Sequence, residues 1–242
     1  MNTTAHSDLW PAFQQANRSR RAIREFQATR ISSEDIYDLV GEAAFAPSSG
    51  NLQPYEFHWV RTPSAKEAVA RACNGQRAAS TAAELLVVVA SPALGKKTAL
   101  TQLAYIDSYS SMEPKSKEYH RKQIGKFQKI LGIGGSLLLS PALFIAAMIR
   151  PTLSLLPIGP IGSRHWAARN AMFAAQTLML GAAAKGIDSC PMEGFSATKV
   201  AAILNLPRGS VVPLVIALGY RADTARIEKR WRRSMMDVVV PH

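Results

Sequence analysis

The run Ala46-Pro47-Ser48-Ser49-Gly50-Asn51-Leu52-Gln53-Pro54-Tyr55 constrains this chain more than any other stretch. Each proline lacks a backbone N–H, has a fixed φ, and biases the residue before it away from helix. With Gly50-Asn51 between Pro47 and Pro54, the run cannot be helical. It must be a loop of defined shape, rich in hydroxyls and amides and free of charge. Upstream, Ile36, Leu39, Val40, Ala43 and Ala44 recur at three-and-four spacing, which predicts a helix over Ser33–Phe45 with Ser33 as its N-cap. Downstream, Tyr55, Phe57 and Trp59 alternate with Glu56 and His58, which predicts a strand over Tyr55–Arg61 with His58 on its surface. Before the helix stands a basic cluster, Arg20-Arg21-Ala22-Ile23-Arg24-Glu25-Phe26. On its own such a cluster is ordinarily a solvated face. Set one helix away from an uncharged polar loop, it suits a ligand with a phosphate at one end and a flat polar ring at the other.

The remaining pattern describes one large domain. Its 242 residues and 48% hydrophobic content give enough apolar material for a sizeable core. Residues 9–19 read as a packing or dimer-contact helix, Ser64–Arg77 and Lys199–Leu206 as helices, and Leu85–Ala90 and Val211–Gly219 as buried strands. Arg164–Lys185 is a long helix of small apolar residues ended by Gly186. Ile187–Cys190 reads as a short strand before the turn Pro191-Met192-Glu193-Gly194-Phe195, with Ser196 able to cap the next helix. The two cysteines, Cys73 and Cys190, show no metal-ligand spacing and imply a reduced, cytoplasmic setting. The start of the chain lacks the pattern of a signal peptide. A net charge of +12 calls for an anionic partner. No helix-turn-helix, zinc or aromatic stacking signature points to nucleic acid.

The middle of the chain changes character abruptly. Residues 96–129 read as helical and basic, with Lys115, Lys117, Arg121, Lys122, Lys126 and Lys129. Ile130–Ile149 then carries no charge, and after Arg150 another uncharged run extends to Ser163. About 20 apolar residues would span a bilayer, but Gly132, Gly134, Gly135, Pro141 and Pro151 break this stretch into pieces. Two readings stand: a hairpin in peripheral contact with the inner membrane face through residues 130–160, or a buried segment extending a dimer interface.

Three motifs in order, Arg-Arg-x-Ile-Arg-x-Phe, Ala-Pro-Ser-Ser-x-Asn-x-Gln-Pro and Gly186-Ile187-Asp188-Ser189-Cys190-Pro191-Met192-Glu193-Gly194-Phe195, resemble the nitroreductase family of FMN-dependent oxidoreductases. The resemblance covers about residues 10–95 and 164–240. It implies an α+β fold, a mainly antiparallel central sheet flanked by helices. One domain would fill residues 1–242, with an apolar insertion at about 107–163. It also implies a homodimer whose tail, Met235–Val240, joins the partner's sheet. FMN would be held by Arg20, Arg21, Arg24, Glu193, Gly194, Arg230 and Arg232 of one subunit and by Pro47, Ser48, Ser49 and Asn51 of the other. Ala22, Arg77, Pro191 and Met192 are further cofactor contacts on the same grounds. Ala22 stands where many members have Ser, Arg77 is matched to a family Lys, and Arg233 is a substitute for either C-terminal arginine. The catalytic groups would be backbone donors at Glu193 and Gly194. NADPH or NADH would reduce the flavin and leave, and a small-molecule acceptor, a nitroaromatic, quinone or activated alkene, would take the electrons. The absence of a G-x-G-x-x-G turn leaves the nicotinamide to stack on the flavin. A flavin-dependent oxidase or dehalogenase, a flavin-binding relative without reductase turnover, and a nonenzymatic adaptor remain alternatives.

Overall fold

The computed structural model describes residues 8–133, 140–150, 157 and 159–242. Its centre is a four-stranded sheet of order β1-β2-β4-β3, made of β1 (Tyr55–Val60), β2 (Glu84–Ala90), β3 (Asp188–Met192) and β4 (Val211–Gly219). Every pairing is antiparallel, with Tyr55 opposite Ala90, Leu86 opposite Ile216 and Met192 opposite Val215. The continuous apolar runs of β2 and β4 fit the two central places, where both faces are covered. β3 is an edge strand, which tolerates the missing N–H of Pro191.

Period-2 alternation divides the core into two layers. Leu86, Val88, Ala90, Leu214, Ile216 and Leu218 face the long helix α8 (Gly159–Ala184) and α2 (Ser33–Ala43). Leu85, Val87, Val89, Val215 and Ala217 face α3 (Pro63–Ala72) and α9 (Ala197–Ile203). Helix α8 buries Ala167, Ala171, Ala174, Ala175, Leu178 and Ala182, so its backbone lies close to the sheet. Ile36 and Leu39 of α2 are fully buried, each worth about 1.5–3 kcal/mol against exposure. The remaining helices are α1 (Leu9–Ser19), α4 (Arg77–Thr81), α5 (Pro92–Ser108), α6 (Pro114–Ile133) and α7 (Ser140–Ile149).

Several boundaries differ from the sequence expectation for identifiable reasons. Ser32, not Ser33, caps α2: its backbone is extended and its Oγ accepts the Asp35 N–H at 3.0 Å. The helix expected over Ser64–Arg77 stops at Ala72, because Asn74 and Gly75 adopt left-handed φ of 57° and 68°. Arg77 then opens the separate short helix α4. The basic helix expected over 96–129 is two helices, α5 beginning at Pro92 under a Ser91 cap and α6 beginning at Pro114. Helix α8 starts at Gly159 rather than Arg164, α9 covers Ala197–Ile203 rather than 199–206, and β3 runs on through Pro191 and Met192. In this single chain Met235–Asp237 forms a 3-10 turn, and the tail from Met235 to Val240 is exposed. Of the uncharged stretch, residues 134–139, 151–156 and 158 lie outside the described residues. Among the described residues no helix is long and apolar enough to cross a membrane.

Candidate functional site

The basic cluster lies along the open edge of β3. Ala22 bridges Ser189 in parallel fashion, the Ile23 N–H donates to the Ser189 carbonyl at 3.1 Å, and Ile23 is buried beneath. The chain after β4 returns to the same place: Arg221 grips Asp188 through Nε at 2.8 Å and Nη2 at 2.6 Å, and the Ala222 N–H donates to the Glu25 carbonyl at 3.0 Å. These anchors bring Arg20, Arg21, Ala22 and Arg24 together with Arg226, Lys229, Arg230 and Arg232 around a groove of about 230 Å³. Both basic segments expected at a phosphate therefore meet, although they lie at opposite ends of the chain. Arg230 donates from Nη2 to the Arg20 carbonyl at 2.8 Å, and Arg21 donates to the Glu228 carbonyl. Burial, and then the positive charges of Arg21, Arg232 and Arg20, hold the Arg230 guanidinium below its ordinary range. Like charges held this close are a receptor for an anion, because a bound phosphate relieves their repulsion. Arg233 turns away and donates to the Asp237 carbonyl at 2.5 Å.

At the far end of β3 the turn is held by its carbonyls, not its amides. The Gly194 carbonyl accepts from Asn74 Nδ2 at 3.0 Å and Gln76 Nε2 at 2.8 Å, the Glu193 carbonyl accepts from Phe195 N at 3.0 Å, and Ser196 N donates to Ala72 O at 2.9 Å. The N–H groups of Glu193 and Gly194 have no acceptor among the described residues, and both residues are exposed. Four steps of extended chain take Ser189 to Glu193, about 13 Å. Met192 points into the core and Pro191 is half-buried, so their backbone is what they offer a ligand. Arg77 ion-pairs with Glu25, and it is Asn74 and Gln76 that reach the turn. Gln76, like Asn74, is a polar residue that the sequence did not assign to the site. Its signal is its place beside the left-handed Asn74-Gly75 turn. Cys190 is buried, and burial pushes its thiol up against a smaller opposite pull from Arg24 and Arg20. It is a packing residue.

The polar loop lies at the other edge of the sheet, at the start of β1. Gly50, Asn51 and Gln53 all have positive φ, 63°, 55° and 41°. Non-glycine residues in that region are uncommon and costly, and they cluster at functional sites. Leu52 is fully buried, Ser48 Oγ accepts the Gln53 N–H at 3.0 Å, and the Asn51 N–H donates to the Ser48 carbonyl at 2.9 Å. From below, buried Asn170 of α8 accepts the Ser49 N–H at 2.7 Å. Pro47, Ser49 and Asn51 are left exposed. Asn170 was not legible as a site residue, since one polar residue among several on this helix carries no local signal.

The arrangement fits a phosphorylated flavin: a clustered cationic groove, two free N–H donors along one strand from it, and a polar loop on a second edge. The profile of the nitroreductase family matches residues 18–220. The "Putative NAD(P)H nitroreductase MhqN" of Bacillus subtilis (strain 168) is 31% identical over 225 residues, covering 92% of this chain and 95% of that protein. The ydfN structure of Bacillus subtilis superposes with a TM-score of 0.75 at 23% identity, over 96% of this chain and 100% of the other. A structure from Exiguobacterium sibiricum 255-15, solved in complex with FMN, gives 0.69 at 20% identity over 95% and 97%. The expected α+β fold is the observed one, and this chain belongs to the nitroreductase family.

Proposed function

We propose that this chain is an FMN-dependent NAD(P)H oxidoreductase that acts as a homodimer on a small-molecule acceptor: a nitroaromatic, quinone or activated alkene. The observation that carries the reading is the division of β3. Its lower part holds the arginine groove, and its upper end presents the unpaired Glu193 and Gly194 N–H groups. When bound, FMN would supply the hydride chemistry between the nicotinamide and the acceptor. Arg20, Arg21, Arg24, Arg230 and Arg232 would hold its phosphate by charge-assisted hydrogen bonds. The Glu193–Gly194 amides would donate to the ring edge with no reorganisation, because the turn's carbonyls are already tied to Asn74, Gln76 and Phe195.

The loop of Pro47, Ser48, Ser49 and Asn51 would serve the other subunit's flavin. It ends at β1, three strand steps from β3, about 14 Å across the sheet. Exposed Leu9, Trp10 and Phe13 on α1, Phe173 on α8, and the tail from Met235 to Val240 form apolar surface that a second copy would cover. The groove beside β1, about 780 Å³ and lined by Val40, Tyr55, Phe57 and Leu94, is where the partner's tail would add as a strand.

The enzyme would work in the cytoplasm, with peripheral contact at the inner membrane face through residues 130–160. Ile145, Met148 and Ile149 of α7 are exposed, and Lys115, Lys122, Lys126 and Lys129 form an exposed stripe on α6. Flotation with anionic liposomes before and after deletion of Gly132–Gly159 tests this; equal flotation refutes it.

The central test is the visible spectrum of the purified protein, repeated under anaerobic NADPH and then NADH. A yellow protein that bleaches with either donor supports the reading. A yellow protein that does not bleach favours the oxidase or non-reductase alternatives, and a chain that cannot take up FMN refutes it.

A further inference from the structure

Helix α6 reaches the polar loop directly. Ile124 and Leu131 of this helix are buried, and Phe127 and Gln128 between them are half-buried, so the four mark one inward stripe at three-and-four spacing. Phe127 from that stripe lies on Gly50. A Cβ added at Gly50 would sit 2.9 Å from Phe127 Cε2 and 3.0 Å from Cδ2, too close unless the ring shifts. The same ring packs against Trp166 of α8, centroids 6.2 Å apart, and Trp166 is itself 3% exposed. The Trp166 carbonyl accepts from Asn170 Nδ2 at 2.8 Å, and Asn170 Oδ1 accepts the Ser49 N–H at 2.7 Å. The contacts close a circuit: Ser49 to Asn170, Asn170 to Trp166, Trp166 to Phe127, Phe127 to Gly50.

We propose that Phe127, with Trp166 and Asn170, clamps the loop with Gly50 and Asn51 in their left-handed conformation, and that Phe127 is thereby a positioning residue for the cofactor-facing loop. The proposal rests on the flavin reading above. Positive φ at three of four consecutive loop positions persists only where surrounding structure over-determines it. Asn170 supplies one restraint through a hydrogen bond from beneath. Phe127 supplies the second by packing its ring where a Gly50 side chain would stand. Gly50 serves both needs at once: it accepts φ 63° without strain and has no side chain where the ring lies. Because Phe127 belongs to the segment that also carries the exposed lysine stripe, that segment sets the shape of the loop as well as bordering it. A change in α6 packing is then felt at Ser49 and Asn51.

The test compares wild type with Phe127→Ala and Phe127→Leu. Amide hydrogen exchange is read at Ser49, Asn51 and Leu52 in the flavin-free chain, and FMN affinity is read by fluorescence titration. Amides of β2 serve as the internal reference for global stability. Phe127→Ala is expected to speed loop exchange about tenfold beyond any change at β2 and to weaken FMN binding about tenfold, with Phe127→Leu intermediate in both. Where Phe127→Ala does not fold, Phe127→Leu against wild type carries the comparison. Loop exchange that changes only in step with β2 overturns the clamp. Faster loop exchange with unchanged FMN affinity overturns the positioning role. A wild-type chain that takes up no FMN fails the reading beneath the proposal, a result visible before any variant is made.

Discussion

Arg230→Met separates a phosphate-binding role from a structural one. The methionine keeps much of the apolar stem and removes the guanidinium. Among the described residues of the ligand-free chain Arg230 makes one hydrogen bond, Nη2 to the Arg20 carbonyl at 2.8 Å, and is opposed by Arg21, Arg232 and Arg20. Losing the bond costs about 1 kcal/mol, and relief of the repulsion offsets part of it, so thermal stability without ligand should barely move. A charged hydrogen bond to phosphate contributes about 1.5–3 kcal/mol, which converts to roughly ten- to hundredfold weaker FMN binding. Riboflavin has the same ring system but no phosphate, so its affinity should be nearly unchanged. The assay is flavin fluorescence quenching with both ligands, at low and at high salt, since the FMN difference should shrink as salt rises. Equal weakening of riboflavin and FMN would refute the assignment, as would a large drop in the melting temperature of the ligand-free variant.

Packing and charge set three further outcomes. Gly219→Ala should lose about 1–3 kcal/mol in denaturant unfolding, because its Cβ would lie 2.7–2.9 Å from Cδ1, Cγ and Cβ of buried Phe26. The Lys185 hydrogen bond, and then that of Ser32, hold the Asp35 carboxyl below the usual carboxylate range, while Asp35 and Asp38 raise Lys185. The Asp35 contribution is present above the unfolded carboxylate value of about 3.9 and lost as pH falls through the depressed folded value; the Lys185 contribution is present below about 10.4 and lost as pH rises through its raised one. The melting-temperature gap between wild type and Lys185→Met should therefore be widest between those limits, close at low pH, and shrink in salt because the cluster is exposed. Burial pushes the Cys73 thiol up to about 11 and raises Cys190 as well, so neither should react with a disulfide reagent in the native state at pH 8, whereas both should react in denaturant. Rapid native labelling of Cys190 would contradict its burial.

The features legible in the sequence were local. Val211–Gly219 is a strand from end to end, because a buried apolar run needs no partner to declare itself. Pro47 to Pro54 is a loop because two prolines forbid the alternatives, with a single 3-10 turn at Ser49–Asn51 inside it. Boundaries failed where two neighbours offer the same chemistry, as Ser32 and Ser33 do for the α2 cap. They failed again where a left-handed pair, Asn74-Gly75, interrupts an otherwise helical pattern. The partners of the site were not local and stayed hidden. Asn170 meets Ser49 across 121 positions, and Arg77 finds Glu25 across 52. No periodicity reports that Phe127, half-buried on a lysine-rich helix, rests on Gly50.

The placement of the loop and the groove carries an energetic consequence. Along α8, the residue that holds the loop, Asn170, and the residue that borders the arginine segment, Ala183, lie 183 − 170 = 13 residues apart, about 20 Å of helix. Across the sheet they are separated by two intervening strands. A flavin held by Arg230 and Arg20, with its ring at the Glu193–Gly194 amides, would run along the β3 edge and leave its own chain's loop on the far side. The polar surface of Ser49 and Asn51, kept exposed at the cost of positive φ at two non-glycine residues, Asn51 and Gln53, would then be matched only if another subunit presented its β3 edge to it. On the proposed reading, cofactor binding and dimer formation would be one linked equilibrium, because the complete site would exist only in the dimer. Free FMN at a hundred times its dissociation constant would stabilise each completed site by about 2.7 kcal/mol. The dimer would hold two such sites, so the ligand would tighten association by about two powers of ten for each.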